Sequence, residues 1–311
     1  MKFFSSSEWI QALSEKTSTA RSYAAMYSSW VGGFVKDTAL MMVPLDDHLV
    51  HRGDGVFEAV RSVSGRLYLF EDHLARLERS AEMIGLKSKW SRDQIRDLAE
   101  QTLELSGLRE AMVRIFLSRG AGDFSTNPYS TMGSELYIVV TRFQPLPDIK
   151  YRKGVRVGRS SIAAKPDFFA QMKSCNYLPN VMMKKEAMDR NFDFMIGVSS
   201  RSEILESSTE NIIFIDQNFR LIRPRGHHIL RGCTMMRVCD LARNIAEISE
   251  VVEEDRHFSD LLDALEIMMV GTTLDVLPVT EVDGTRVGER GQVGPLSKKL
   301  LELVRQDQIS S

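Results

Sequence analysis

The stretch Glu58-Ala59-Val60-Arg61-Ser62-Val63 is followed by Ser64-Gly65, by Arg66-Leu67-Tyr68-Leu69-Phe70 and then by the run Glu71 to Ile84. The two segments flanking the serine–glycine pair carry β-formers, and the pair itself is turn chemistry, so the stretch predicts two strands joined by a turn. From Glu71 the period changes. Leu74, Leu77 and Ile84 share one helical face, and Arg76 and Arg79 fall elsewhere. Strands that feed directly into a helix indicate a mixed architecture.

Working outward, the same mixture continues. Ser91 with Gln94 three residues on is a capping-box signature and opens a helix to about Leu105. Met112 to Leu117 and Leu136 to Val140 read as strands of a hairpin with a long loop, Gly120 to Gly133, and a loop of that length is more often functional than decorative. Beyond it, Asn180–Asn191 and Thr234–Ile248 read as helices, the latter with Val238, Leu241, Ile245 and Ile248 on one side. Phe192–Val198, Asn211–Ile215, Ile267–Val270 and Val276–Val282 read as strands, and Leu296–Val304 as a closing helix. Frequent hairpins favour mixed α+β, or mixed α/β, over a doubly wound parallel sheet.

The chain has 311 residues, enough for about two domains. Gln144-Pro145-Leu146-Pro147-Asp148-Ile149-Lys150 lies near the midpoint, and its two prolines oppose helix and disfavour a central strand. The expected division is therefore a smaller domain over 1–143, a linker over 144–153 and a larger domain over 154–311.

Composition narrows the function. With 43% hydrophobic and 26% charged residues the chain can bury a core, and a net charge of −2 gives no nucleic-acid or anionic-membrane footprint. Cys175, Cys233 and Cys239 cannot pair completely and show no zinc spacing, which fits a reducing cytoplasm. No apolar run reaches the ~18 residues of a membrane span, and Met1 to Glu8 turns polar too early for a signal peptide. His227-His228 lacks a third ligand at a recognised spacing and reads as surface, so no metal is expected.

Five segments could carry chemistry. In His51-Arg52-Gly53-Asp54-Gly55-Val56-Phe57-Glu58 two glycines flank an acid, which alone reads as a turn. Gly232-Cys233-Thr234 opens a helix, either as an ordinary cap or as an anion site of free N–H groups and a hydroxyl. Gly271-Thr272-Thr273 follows a strand and is either a loop or a phosphate cradle. Lys173-Ser174-Cys175-Asn176-Tyr177-Leu178-Pro179-Asn180 holds a lysine that could form a Schiff base if desolvated, whereas Lys184 and Lys185 read as solvated. Leu205-Glu206-Ser207-Ser208-Thr209-Glu210-Asn211 is a solvated turn or a carboxylate aimed into a cleft.

Taken in order, with His73-Leu74-Ala75-Arg76-Leu77 added, these segments resemble the fold-type IV pyridoxal-phosphate enzymes, the class IV aminotransferases. The resemblance spans roughly residues 40 to 305. It implies two α/β domains with pyridoxal 5′-phosphate between them, and a homodimer in which the second subunit adds substrate contacts. It implies that Lys173 holds the cofactor covalently and that Glu206 partners the pyridine nitrogen. Arg76, Cys233, Thr234, Gly271 and Thr272 are then the phosphate ligands, and Tyr177 lies near the phenolic oxygen. Phe57, Arg114 and Thr273 are candidate substrate contacts.

Within the family the markers divide. Gly55-Val56-Phe57-Glu58 is similar to branched-chain aminotransferases, as is Arg114 in Met112-Val113-Arg114, although the tyrosine usual at position 112 is missing. The loop Gly120 to Tyr129 lacks the Arg-x-His of D-amino acid aminotransferases, yet Lys173 to Ala187 resembles them. Ser118-Arg119-Gly120-Ala121-Gly122 resembles aminodeoxychorismate lyases, which carry threonine near the position of Glu58; Ile229 to Thr234 resembles plant-type relatives of those lyases. The resulting order places transamination between an L-amino acid, branched-chain or broad, and a 2-oxo acid first. D-amino acid transamination is second and the lyase third, with non-catalytic cofactor binding as the reading from another class.

Overall fold

The computed structural model describes residues 2–17 and 22–310; Met1, the first residue of the polar N-terminal stretch, lies outside them. The chain forms two compact units. One comprises the residues up to Gln144 together with Lys173–Asn176, and the other comprises Pro145–Met172 with the residues from Tyr177 onward.

The first unit contains α1 (Ser6–Thr17), β1 (Tyr23–Ser28), β2 (Gly33–Val35), α2 (His48–Arg52), β3 (Gly55–Val63), β4 (Arg66–Leu67), α3 (Phe70–Met83), α4 (Arg92–Ser106), β5 (Ala111–Ser118) and β6 (Glu135–Arg142). Its antiparallel sheet runs β2-β1-β6-β5-β3-β4. Strand alternation sends Val56, Val60, Val113, Ile115, Leu117, Ile138 and Val140 to one face, where they form a core with Leu74 and Leu77 of α3 and Ile95, Ala99 and Leu103 of α4. The predicted capping box is present: Ser91 Oγ accepts from Gln94 N at 3.3 Å and Ser91 N donates to Gln94 Oε1 at 2.9 Å. The strand expected over Arg66–Phe70 stops at Leu67, because Leu69 turns through φ 53° and α3 begins at Phe70.

The second unit contains α5 (Asp148–Lys153), β7 (Val155–Arg159), α6 (Asp167–Ala170), α7 (Leu178–Asp189), β8 (Phe194–Ile196), β9 (Asn211–Ile215), β10 (Arg220–Arg223), α8 (Cys233–Ala242), β11 (Glu250–Glu253), β12 (Glu266–Gly271), β13 (Asp275–Val282), β14 (Thr285–Arg286) and α9 (Pro295–Ser310). The sheet order is β11-β10-β9-β12-β13-β7-β8, with β14 on β13. The pairs β10–β11, β7–β13 and β7–β8 are parallel and the rest antiparallel, so the sheet is not a doubly wound parallel one, in line with the expected mixed α/β class. Ile212 and Phe214 enter one core and Ile213 and Ile215 the other, so the unbroken apolar run of β9 reflects burial on both faces. Prolines do not keep Asp148–Lys153 extended: Pro147 sits at the N-cap of α5, where its missing N–H costs nothing. The helix expected to reach Ile248 ends at Ala242, yet Ile245 and Ile248 still enter the core through the turns beyond it. No helix among the described residues is long and apolar enough to cross a membrane.

Candidate active site

The lysine arrives on a segment stitched to β3. α2 ends at Gly53 with φ 65°, a left-handed position that glycine takes without strain. A Cβ there would stand 3.0 Å from Asn176 N, and one at Gly55 would stand 2.9 Å from Leu117 O. The glycines thus let three strands of backbone approach. Phe57 N donates to Lys173 O at 3.0 Å, Cys175 N donates to Gly55 O at 2.9 Å, and Val56 pairs with Ser174. Lys173 N donates to Ser80 Oγ of α3 at 3.1 Å. The Lys173 amine is left 4.8 Å from the centroid of Phe57, whose ring stacks on Phe116 at 5.6 Å. The segment read in isolation as a plain turn is therefore the seat of the lysine.

One residue further along β3 the side chain faces the core. Glu58 is fully buried and accepts from Arg76 Nε and Nη2, both at 2.7 Å, and meets His73 Nδ1 at 2.7 Å. Burial alone would raise the Glu58 carboxyl pKa. The charge and hydrogen bonds of Arg76, followed by those of His73, outweigh that and hold it well below the usual carboxylate range. Arg76 is thus not on an outlying face of α3, as the apolar spacing alone suggested. Its guanidinium is buried because a carboxylate from the neighbouring strand meets it.

Two features of this unit escaped the sequence reading. Asp47 caps α2 through Leu49 N at 2.9 Å, accepts from Tyr137 Oη at 2.8 Å and bonds Ser118 Oγ. An aspartate before a short helix is a cap signal, but its two distant partners have no local signature. Arg119 forks onto Asp54 and donates to the carbonyls of Ile84 and Gly85, so the arginine of the Ser-Arg-Gly loop is a structural clamp. Arg114 is half-buried on the face of Phe57 and donates to Thr141 Oγ1 at 3.0 Å; burial, against a small opposing effect of Tyr23, lowers its pKa.

The second unit carries the remaining candidates. Glu206 is half-buried and its Oε2 accepts from Leu230 N at 3.0 Å. It lines a cleft with Asn180, Met183, Leu205 and Ser207, in which Asn180 Oδ1 and Ser207 Oγ are buried without hydrogen-bond partners. Gly232 is the N-cap of α8 and supplies no side-chain cap, and a Cβ there would stand 2.1 Å from Asn211 Oδ1. Thr234, in the first turn, brings its hydroxyl to 3.5 Å from that of Thr272, on the turn after β12. Cys233 is buried, Gly271 and Thr272 are half-buried and Thr273 is exposed. Lys165 Nζ lies 5.8 Å from the centroid of Tyr177. His227 is exposed, but His228 is half-buried and bonds Asp167 at 2.8 Å, so only one of the two is a plain surface residue. No group of three or more metal-ligating side chains occurs among the described residues.

A family model described as amino-transferase class IV matches residues 55–282. The chain is 37% identical over 296 residues to a chloroplastic D-amino-acid transaminase of Arabidopsis thaliana, covering 92% of this chain and 76% of that protein. It is 30% identical to a putative branched-chain-amino-acid aminotransferase of Methanocaldococcus jannaschii, covering 88% and 93% of the two chains. The solved branched-chain amino acid aminotransferase of Escherichia coli has the same fold, with a TM-score of 0.81 over 91% of this chain and 93% of that one at 23% identity. The chain belongs to the class IV aminotransferase family. It is a pyridoxal phosphate-dependent aminotransferase.

The residues present fit that cofactor by their chemistry. An uncapped helix start beside two converging hydroxyls is a donor set for a phosphate dianion. A half-buried carboxylate beside two unsatisfied polar atoms suits a heterocycle with a ring nitrogen, and the amine beside Phe57 is a lysine fixed by its own backbone pairing.

Proposed function

We propose that this chain transfers the amino group of an uncharged D-amino acid to a 2-oxo acid, with Lys173 as the catalytic residue. The observation that carries the reading is the Lys173 amine, held against Phe57 by a segment paired to β3. Pyridoxal phosphate supplies an aldehyde to receive the amino group and a ring that accepts electrons from the substrate Cα. Lys173 would hold it through its amine and would move the proton to and from the substrate Cα. The Glu206 carboxylate holds a proton at the ring nitrogen. Arg76, the Cys233–Thr234 helix start and the Gly271–Thr272 turn bind the phosphate, and Tyr177 adds a contact at the phenolic oxygen. Phe57, Arg114 and Thr273 would be further substrate contacts, Phe57 against the apolar part.

The donor's handedness follows the relatives. The sequence markers alone put an L-amino acid donor, branched-chain or broad, first, and the 37% identity with a D-amino-acid transaminase moves the D-donor ahead. The L-branched-chain reading stays second on Gly55-Val56-Phe57-Glu58 and on the archaeal relative. The lyase loses its loop argument, since Arg119 is occupied in clamping Asp54. A homodimer of two α/β domains in the cytoplasm completes the proposal, the latter supported by three unpaired cysteines.

The test is a single-turnover half-reaction followed by visible absorbance. D-alanine bleaching the holoenzyme while L-leucine leaves it unchanged is the expected result. Bleaching by L-leucine alone moves the second reading to first place. A holoenzyme that ignores both, and also pyruvate or 2-oxoglutarate in the reverse direction, refutes both donors.

A further inference from the structure

Beneath the loop between β5 and β6 lie nitrogen atoms that no protein atom satisfies. Buried His48 places Nε2 3.1 Å from Asp123 O, while its Nδ1 is buried without a partner. One turn along α2, Arg52 donates through Nη2 to the same carbonyl at 3.0 Å, and its Nε and Nη1 are buried without partners. Residues four apart share one helix side, and both side chains meet the same carbonyl. Asp47 and Gly53 fix the two ends of α2.

Guanidinium nitrogens removed from water without acceptors are strongly disfavoured, so this group calls for an acceptor. A guanidinium edge matches a carboxylate in geometry and charge. The loop above, Gly120 to Gly133, contains no lysine, arginine or histidine, so it offers no competing cation. Its one carboxylate, Asp123, feels the Arg52 charge but spends its hydrogen bonds on Ser125 N at 2.9 Å and Ser125 Oγ at 2.6 Å, leaving the Arg52 Nε and Nη1 without an acceptor. Both substrates of an aminotransferase, the amino acid and the 2-oxo acid, carry a carboxylate. α2 also leads directly into Gly53, which packs on the lysine segment at Asn176.

We infer that Arg52, with His48 as second donor, is a recognition site for the substrate carboxylate, reached when the Gly120–Gly133 loop lifts the Asp123 carbonyl from both side chains. The inference rests on the aminotransferase reaction and is independent of the donor's handedness.

The test uses holoenzyme and butyrate, a carboxylate with neither amine nor 2-oxo group, as a competitive inhibitor. R52M raises the butyrate inhibition constant and the KM of both substrates roughly 10–100-fold, with kcat kept within about threefold. R52K, which keeps the charge but not the fork, falls between R52M and wild type. H48N raises the same constants about 3–10-fold. Three results overturn the inference: no inhibition of the wild type by butyrate, unchanged constants in a folded R52M, or an R52M that loses kcat at constant KM. Should R52M not fold, R52K decides, and a wild-type butyrate constant in a folded R52K overturns the inference. A failed D-alanine half-reaction leaves this test intact, because butyrate competes with donors of either hand.

Discussion

Replacing Glu58 by glutamine keeps the side chain's shape and removes its charge. The Arg76 guanidinium then loses the carboxylate that meets it at two nitrogens, in a place where the side chains are 6% and 0% exposed. Removing one partner of a buried ion pair costs about 3–5 kcal/mol, because the remaining charge is stranded in a low-dielectric site. At about 2–4 °C per kcal/mol for chains of this class, E58Q should melt roughly 6–20 °C below wild type. The pH dependence gives a second reading. Glu58 is held below its ordinary value of 4.5, so the folded state binds fewer protons than the unfolded state near that value. Its contribution is complete above about pH 4.5 and is lost progressively as pH falls towards the folded-state value. The gap between wild type and E58Q is therefore full at neutral pH and narrower near ~pH 3.5. Calorimetry of the apoproteins measures both without interference from cofactor release. An E58Q protein melting within about 2 °C of wild type would refute the argument. So would a gap that does not change with pH.

Three further outcomes follow from the same geometry. K173A lowers kcat about 100–10,000-fold, and borohydride treatment followed by mass spectrometry finds no cofactor attached to the variant chain, whereas wild type is labelled at Lys173. G53A strains a left-handed residue and pushes a methyl onto Asn176 N, so it melts at a stability lower by roughly 1–3 kcal/mol in chemical denaturation; an unchanged midpoint would show that the lysine segment does not need that approach. Burial, helped by the charge of Asp47 and opposed by Lys173, pushes the Cys175 thiol up to about 12, so iodoacetamide leaves it unmodified in the native protein at ~pH 8 and alkylates it after unfolding.

Elements with a strong local signal were legible. The capping box at Ser91, the hairpin of β5 and β6 and the apolar runs of β9 and β12 each announce themselves within a few residues. Elements set by tertiary context were not. β1 reads Tyr-Ala-Ala-Met-Tyr-Ser and acquires strand character by pairing with β6, more than a hundred residues away. α2 is five residues long, below any window in which periodicity can speak, and it exists because Asp47 caps it and Gly53 closes it. The end of α8 was misplaced because Ile245 and Ile248 satisfy an apolar period through turns as well as through a helix.

The candidate site shows the same division at the level of single residues. Lys173, Glu206 and the two threonines stand in the sequence as a series of motifs in order, but the physical reason for their neighbours does not show there. Phe57 and Glu58 are adjacent in sequence and, because strand side chains alternate, lie on opposite faces of β3. Phe57 faces the Lys173 amine, and Glu58 reaches through the core side to Arg76 and His73. As a motif, Glu58 looked like a marker of substrate class. In the structure its carboxylate bonds His73 and Arg76 on the helix behind the sheet, so its effect passes through Arg76. In this chain the glutamate fixes an arginine, and a threonine in its place, with a single hydroxyl and no charge, could not hold that guanidinium in the same way.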